Sequence, residues 1–227
     1  TLNAKQINPP EYGNTEKLTI NTFSVGNKES EEGKGGDVNI TTNNLSNTEI
    51  LTLSSHSESG KVTIESKTQE PLQIKDSSII TSAQVEIKRC EWCNPIIIDV
   101  GAKGKSGEVF VNSSGDLNLN NVTIESDTKS NQAAGDVNIY SRGNITLDNT
   151  DIISTTNSQG NAGQITLETN ENIELTNNSK ILANTEGTGN AGQITIEANN
   201  LILNQNTKLI TETARAGNPG DIKIQAK

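Results

Sequence analysis

The sequence predicts an all-β fold, a right-handed parallel β-helix of about seven coils, and three observations carry that expectation. First, a glycine followed by polar-(Val/Ile)-polar-(Ile/Leu/Val) recurs at Gly36, Gly60, Gly107, Gly135, Gly163, Gly192 and Gly220. The intervals are 24, 47, 28, 28, 29 and 28 residues, so the repeat is about 28 and the 47 reads as one copy with roughly 19 extra residues. Second, apolar residues inside each copy alternate with period two, the signature of half-buried strands. Third, hydrophobic residues make up only 30% of the 227, with 2% aromatic, too little for a thick core but enough for a thin one repeated many times.

Taken in order, Leu18, Ile20 and Thr22 match the third strand of a preceding coil, and Asn27 to Gly35 a charged corner. Residues 1–16, with Pro9-Pro10, read as a tail or an incomplete coil ahead of a single β-helix domain over 17–227. The cleanest copy has Val137 and Ile139 on its first strand, Ile145 and Leu147 on its second, and Ile152, Ser154 and Thr156 on its third. The next two copies repeat this inward set as Ile165, Leu167, Ile173, Leu175, Ile181, Ala183 and as Ile194, Ile196, Leu201, Leu203, Leu209, Thr211. Polar breaks such as Ser141–Asn144 separate the first two strands, and Asp148–Asp151 and Thr176–Ser179 mark the second corner. Gly160-Asn161-Ala162-Gly163 and its equivalents close each copy, where glycine and asparagine are expected to supply positive φ.

Three short strands per copy cannot bury an apolar face alone, so each must pair in parallel with its equivalent one copy later. Strand–crossover–strand connections are overwhelmingly right-handed, which sets the expected hand of the coil. Stacked Asn and Thr are expected to form hydrogen-bond ladders between coils, a stronger reading of this composition than glycosylation at the Asn-x-Ser/Thr sites Asn39, Asn112, Asn121 and Asn144. The final Gly220-Asp221-Ile222-Lys223-Ile224 opens another coil, and the first residues carry neither Met nor a basic-then-apolar leader. Both are expected of a piece of a longer chain.

The 28 acidic and 18 basic side chains leave a net charge of −10, which argues against binding nucleic acid or an anionic membrane. No run of 18 apolar residues is present to span a membrane.

Gly-Asn-Ala-Gly-Gln-Ile-Thr-(Leu/Ile)-Glu at 160–168 and 189–197, followed by Asn-x-(Ile/Leu)-x-Leu, resembles the repeats of the large filamentous haemagglutinin-like exoproteins of cyanobacterial type. The resemblance is strong over 107–227 and weaker over 36–106. Such proteins leave the cell by two-partner secretion, and their secretion domain carries Asn-Pro-Asn motifs. Here Asn8-Pro9, Asn94-Pro95 and Asn218-Pro219 are followed by Pro10, Ile96 and Gly220, which places the chain in the repeat shaft. The resemblance implies a secreted or bacterial cell-surface rod with a role in adhesion, aggregation or matrix formation. Its expected partners are extracellular polysaccharide or protein, with end-to-end self-association, and no cofactor.

The irregular segment 83–106 is the expected functional locus, because insertions in solenoids collect on one side and carry binding. Gln84–Lys88 and Ile96–Val100 are expected to pair as a hairpin with Cys90-Glu91-Trp92-Cys93 at its tip. In a secreted protein the two cysteines fit a structural disulfide that closes a small ring, with free or intermolecular thiols as the alternative. A redox centre would want a helix N-terminus, and zinc would find only Cys90, Cys93 and His56. Trp92, flanked by Arg89, Glu91 and Asn94, is either a partner-binding platform or a lid on Ile96 to Ile98.

His56 lies in a polar stretch without a nucleophile elbow. Asp37, Glu108, Asp136 and Asp221 follow the repeat glycine, but Lys61, Gln164 and Gln193 share their column, as in a solvated ladder. Gly33-Lys34-Gly35-Gly36-Asp37 only faintly echoes a calcium-binding β-helix repeat. A polysaccharide-degrading enzyme is the rival class, since the same architecture supports one. It would require a clustered acidic groove beside 83–106.

Overall fold

The computed structural model describes residues 2–3, 18–24, 34–54, 57–83 and 104–227. Every strand among them pairs in parallel with its equivalent on a neighbouring coil, and none of these residues is helical. The chain is a β-solenoid with three stacked faces. The first face runs from Leu2–Asn3 through Val38–Thr41, Val62–Glu65, Val109–Ser113, Val137–Ser141, Ile165–Thr169 and Ile194–Ala198 to Ile222–Ala226. The second and third faces share one sheet, because Leu72–Ser82 and Leu117–Thr128 run through the second corner without a break. Elsewhere that corner separates pairs such as Ile145–Asp148 and Asp151–Thr156. Leu18–Ser24 joins the third face, in register with Thr48–Ser54.

Register follows the repeat: Val109, Val137, Ile165, Ile194 and Ile222 stand in one column. Seven repeat glycines enclose six turns, one fewer than the expected coil count. The 47-residue copy adds no coil, because Val62 pairs directly with Val109 and Leu72 with Leu117. Most of its excess lies at the third corner. Twenty residues, 84–103, stand between Ala83 and Gly104, where a regular coil has only 157–159 between Thr156 and Gly160.

The core is one residue thick per strand. Ile64, Val111, Ile139, Leu167 and Ile196 stack on the first face, and Ile74, Leu119, Leu147 and Leu175 on the second, all buried. The third face buries Ile50, Ile79, Ile124, Ile152 and Ile181, then turns polar, with Thr52, Thr81, Ser126 and Ser154 also buried. Those hydroxyls serve the third corner. Thr52 and Thr81 donate to the carbonyls of Gly60 and Gly107, both at 2.7 Å. Ser154, lacking the methyl, bridges two coils: it accepts from the Gly163 N–H at 2.8 Å and donates to the Gly135 carbonyl at 3.2 Å. Each pairing satisfies a buried backbone group that the corner would otherwise leave open.

Side-chain ladders run along all three corners. At the first, Asn200 donates to Asn172 at 2.8 Å, Asn172 to Asn144 at 3.0 Å and Asn144 to Asp116 at 3.2 Å. At the second, Asn149 donates to Asn121 at 3.1 Å and Asn121 to Asp76 at 2.7 Å. At the third, the Asn218 N–H donates to Asn190 and the Asn190 N–H to Asn161, each at 2.9 Å.

The division of labour between glycine and asparagine departs from expectation. Positive φ belongs to the second corner, at Asn47, Asp76, Asn121, Asn149, Asn177, Asn178 and Asn206, where a short polar side chain tolerates the left-handed region, and at Gln205 beside them. No described glycine adopts it. The repeat glycines are required because the backbones touch: a Cβ on Gly60, Gly107, Gly135, Gly163, Gly192 or Gly220 would lie 1.9–2.2 Å from the carbonyl oxygen of the preceding repeat glycine. Gly163→Ala is therefore expected to cost about 3 kcal/mol or more, read as a lowered urea midpoint. Gly36→Ala is the internal control, since the described atoms nearest its new methyl are those of Thr22, at 3.4 Å, and the midpoint should stay nearly unchanged.

Candidate functional site

Outward positions are free of the stacking constraint, so any site on this rod is built from them and from the third corner. Arg89, Cys90, Glu91, Trp92, Cys93 and Asn94, the expected hairpin and His56 lie outside the described residues. The residues on either side of that insertion pair with neighbouring coils. The Ala83 N–H donates to the Asp127 carbonyl at 3.2 Å, the Ser59 N–H to the Lys105 carbonyl at 3.1 Å, and Ser130 Oγ to the Gly104 carbonyl at 2.6 Å. Both ends of the segment are thus tied into regular coils.

Beside the outgoing end lies an acidic pair that the sequence reading passed over. Glu125 and Asp127 project from the third face, in register with Ile80 and Ser82. Glu125 interrupts an outward apolar column of Leu51, Ile80, Ile153, Leu182 and Ile210, and that break in pattern is the signal that could have found it. Burial raises the Glu125 pKa above the ordinary carboxylate range, helped by Asp127 and opposed by Lys180. Asp127 is likewise raised by burial, against a hydrogen bond from Ser82 and the charge of Lys129.

The column that follows the repeat glycines is a polar ladder. Asp37 accepts the Lys61 N–H at 2.8 Å, Asp136 accepts the Gln164 N–H at 2.7 Å, and Lys61 Nζ lies 3.4 Å from Glu108. No group of three or more His, Cys, Asp or Glu side chains placed to hold a metal occurs among the described residues.

The first face carries a feature that composition alone obscured. Phe110 and Tyr140 project outward from adjacent coils, on a diagonal, since Phe110 opposes Asn138 and Asn112 opposes Tyr140. Their ring centroids are 5.5 Å apart and the planes inclined at 41°, with Lys61 Nζ 5.4 Å from the Phe110 centroid. The Tyr140 pKa is raised by burial and by Glu168 and Glu197, which continue its column. A depression of about 250 Å³ begins at its column neighbour Glu168 and is lined further by Asn170, Glu197, Gln225 and Lys227. Each strand here reads as apolar-in, polar-out except at these two rings, and that exception is legible in the sequence once the period is known.

Comparison with protein-family profiles, characterised proteins and solved structures finds no match to the chain.

The acidic pair has a testable consequence. A carboxyl whose pKa is raised by folding binds its proton more tightly in the folded than in the unfolded chain. Stability therefore falls as pH rises from the ordinary carboxylate range through the raised value, and stays lower above it. Asp127→Asn keeps the acceptor for Ser82 and removes the charge. It should raise Tm near pH 7, and the gain should vanish near pH 3, where the native carboxyl is protonated in both states. Thermal melts of both proteins at the two pH values measure it.

Proposed function

We propose that this chain is a non-catalytic shaft segment of a secreted or cell-surface exoprotein, a stiff acidic rod that holds a lateral feature away from its point of attachment. The observation that carries the reading is the unbroken register across the long copy. Val62–Glu65 pairs with Val109–Ser113 as if nothing lay between them, so the rod supports its insertion without being shaped by it. Parallel pairing along the axis and ladders at all three corners suit a stiff spacer. The net charge of −10 discourages sideways clumping. The resemblance to filamentous haemagglutinin-like repeats supports the adhesive setting.

The alternative places recognition on the Cys90–Cys93 insertion, with Trp92 as its platform, and rests on the sequence. The acidic pair at the root of the insertion is the observation that favours keeping an enzyme reading in view. Glu125 and Asp127 adjoin the corner where a cleft would have to be built, and both hold protons more tightly than ordinary carboxyls.

Four proteins separate these readings on an array of polysaccharides and surface proteins: the full chain, Trp92→Ala, Glu125→Gln, and a variant with 84–103 replaced by the Lys129-Ser130-Asn131 corner. The shaft reading expects the replacement to keep its β-sheet circular dichroism and to melt within a few degrees of the parent. It also expects no reducing ends or unsaturated uronides to be released from any polysaccharide. Release that is abolished by Glu125→Gln would overturn it in favour of an enzyme, and array binding lost in Trp92→Ala would move recognition to the insertion.

A further inference from the structure

We infer that the outer surface of the first face, at Phe110 and Tyr140, is a binding site for a neutral polysaccharide chain lying obliquely across that face. The two rings are the only described aromatic side chains, and both are placed outward, where the fold has no use for them in its core. Val109, Val111, Val137 and Ile139 carry the packing beneath, and the same outward positions on neighbouring coils are Thr63 and Asn112.

The polar groups around the rings differ from those elsewhere on the rod. Corner asparagines are committed to ladders, as Asn144, Asn172 and Asn200 are. Asn112 and Asn138, beside the rings and half-buried, have side-chain amides with no hydrogen-bond partner among the described residues, and so does the Tyr140 hydroxyl. Free amides, a phenol and the Glu168 carboxylate around an apolar platform match the mixed surface of a sugar, whose C–H faces stack on aromatic rings while its hydroxyls seek donors and acceptors.

Charge selects the class. Glu168 and Glu197 follow Tyr140 in its column, Glu108 and Asp136 flank Phe110, and the whole chain carries −10. A polyuronate or sulfated chain would be repelled. Of the cations nearby, Lys61 is already paired with Glu108, and Lys227 shares the lining of the depression with two carboxylates, Glu168 and Glu197. Direction follows from the platform: the rings sit on successive coils but two residues apart along the strand, with centroids 5.5 Å apart, so the platform runs obliquely across the face from Phe110 to Tyr140, and the depression lined by Glu168 and Glu197 lies beyond Tyr140.

The inference deepens the adhesive side of the proposed function and rests on it in taking an extracellular polymer as the ligand. It puts that ligand on the shaft instead of the insertion. The test is affinity electrophoresis of the full chain in gels containing hydroxyethylcellulose, xyloglucan or galactomannan, with polygalacturonate as the charged comparator. Retardation by at least one neutral polymer, unchanged between low and high salt and absent with polygalacturonate, is the expected result. Phe110→Thr and Tyr140→Asn install the residues that the adjacent coil carries in the same columns, so both variants are built to fold, and circular dichroism checks that they do. Each should weaken binding about tenfold, Tyr140→Phe should restore most of it, and Trp92→Ala should leave it intact.

No retardation by any neutral polymer overturns the inference, as does retardation that survives both ring substitutions or depends on Trp92. The shaft reading fails on different grounds, the melting of the corner replacement and the release of sugar ends, so the two failures remain separable.

Discussion

The structure depends on backbone contact at one corner. Along the column from Gly36 to Gly220 each coil lies so close to the last that a single methyl group would collide with a carbonyl oxygen. That contact fixes where each coil restarts, and the other columns inherit their register from it. With the glycines aligned, Ile and Val stack on Ile and Val, the buried hydroxyls of the third face reach the glycine carbonyls, and asparagine meets asparagine at each corner. The same closeness leaves no room for larger residues in the column. Variation in length is accommodated elsewhere, in 84–103 just upstream of the glycine and in the differing sizes of the first corner.

A protein this poor in apolar residues must hold together by many small terms. The core strip is narrow, and its third face finishes in serine and threonine. Each hydrogen bond there contributes on the order of 1 kcal/mol net, but leaving its buried partner open would cost more. Carboxylates along the corners act mainly as acceptors for backbone N–H groups of the next coil, as Asp37 and Asp136 do. Glu125 and Asp127 break that habit. They sit on a face, are desolvated, and adjoin the root of the insertion, so the rod accepts an electrostatic cost there.

Stacking constrains the inward positions and the corners and leaves outward positions open. Functional differences between coils must therefore appear as outward residues that break a column, or as length at the third corner. The chain shows both. The aromatic pair breaks two polar columns of the first face, Glu125 breaks an apolar column of the third, and 84–103 enlarges one corner without disturbing the coils that flank it.

Period and repeat sufficed for the all-β class, the three strands per copy, the inward set from Val137 to Thr156 and the absorption of the 47-residue copy into a single coil. These follow from local alternation and from a spacing that forces equivalent strands together, so they are written in one dimension. The role of the repeat glycines was misread from the sequence, because a glycine needed for positive φ and one needed for close approach look the same until the neighbouring coil is in place. Likewise Phe110 and Tyr140 are 30 residues apart in the chain, and Glu125 lies 45 from Ile80; only the register of parallel pairing brings each to its neighbour. The sequence by itself determined that the chain must coil and that its repeat is about 28 residues. The tertiary structure decided which side chains share a surface, because adjacency across coils depends on the length of every intervening corner.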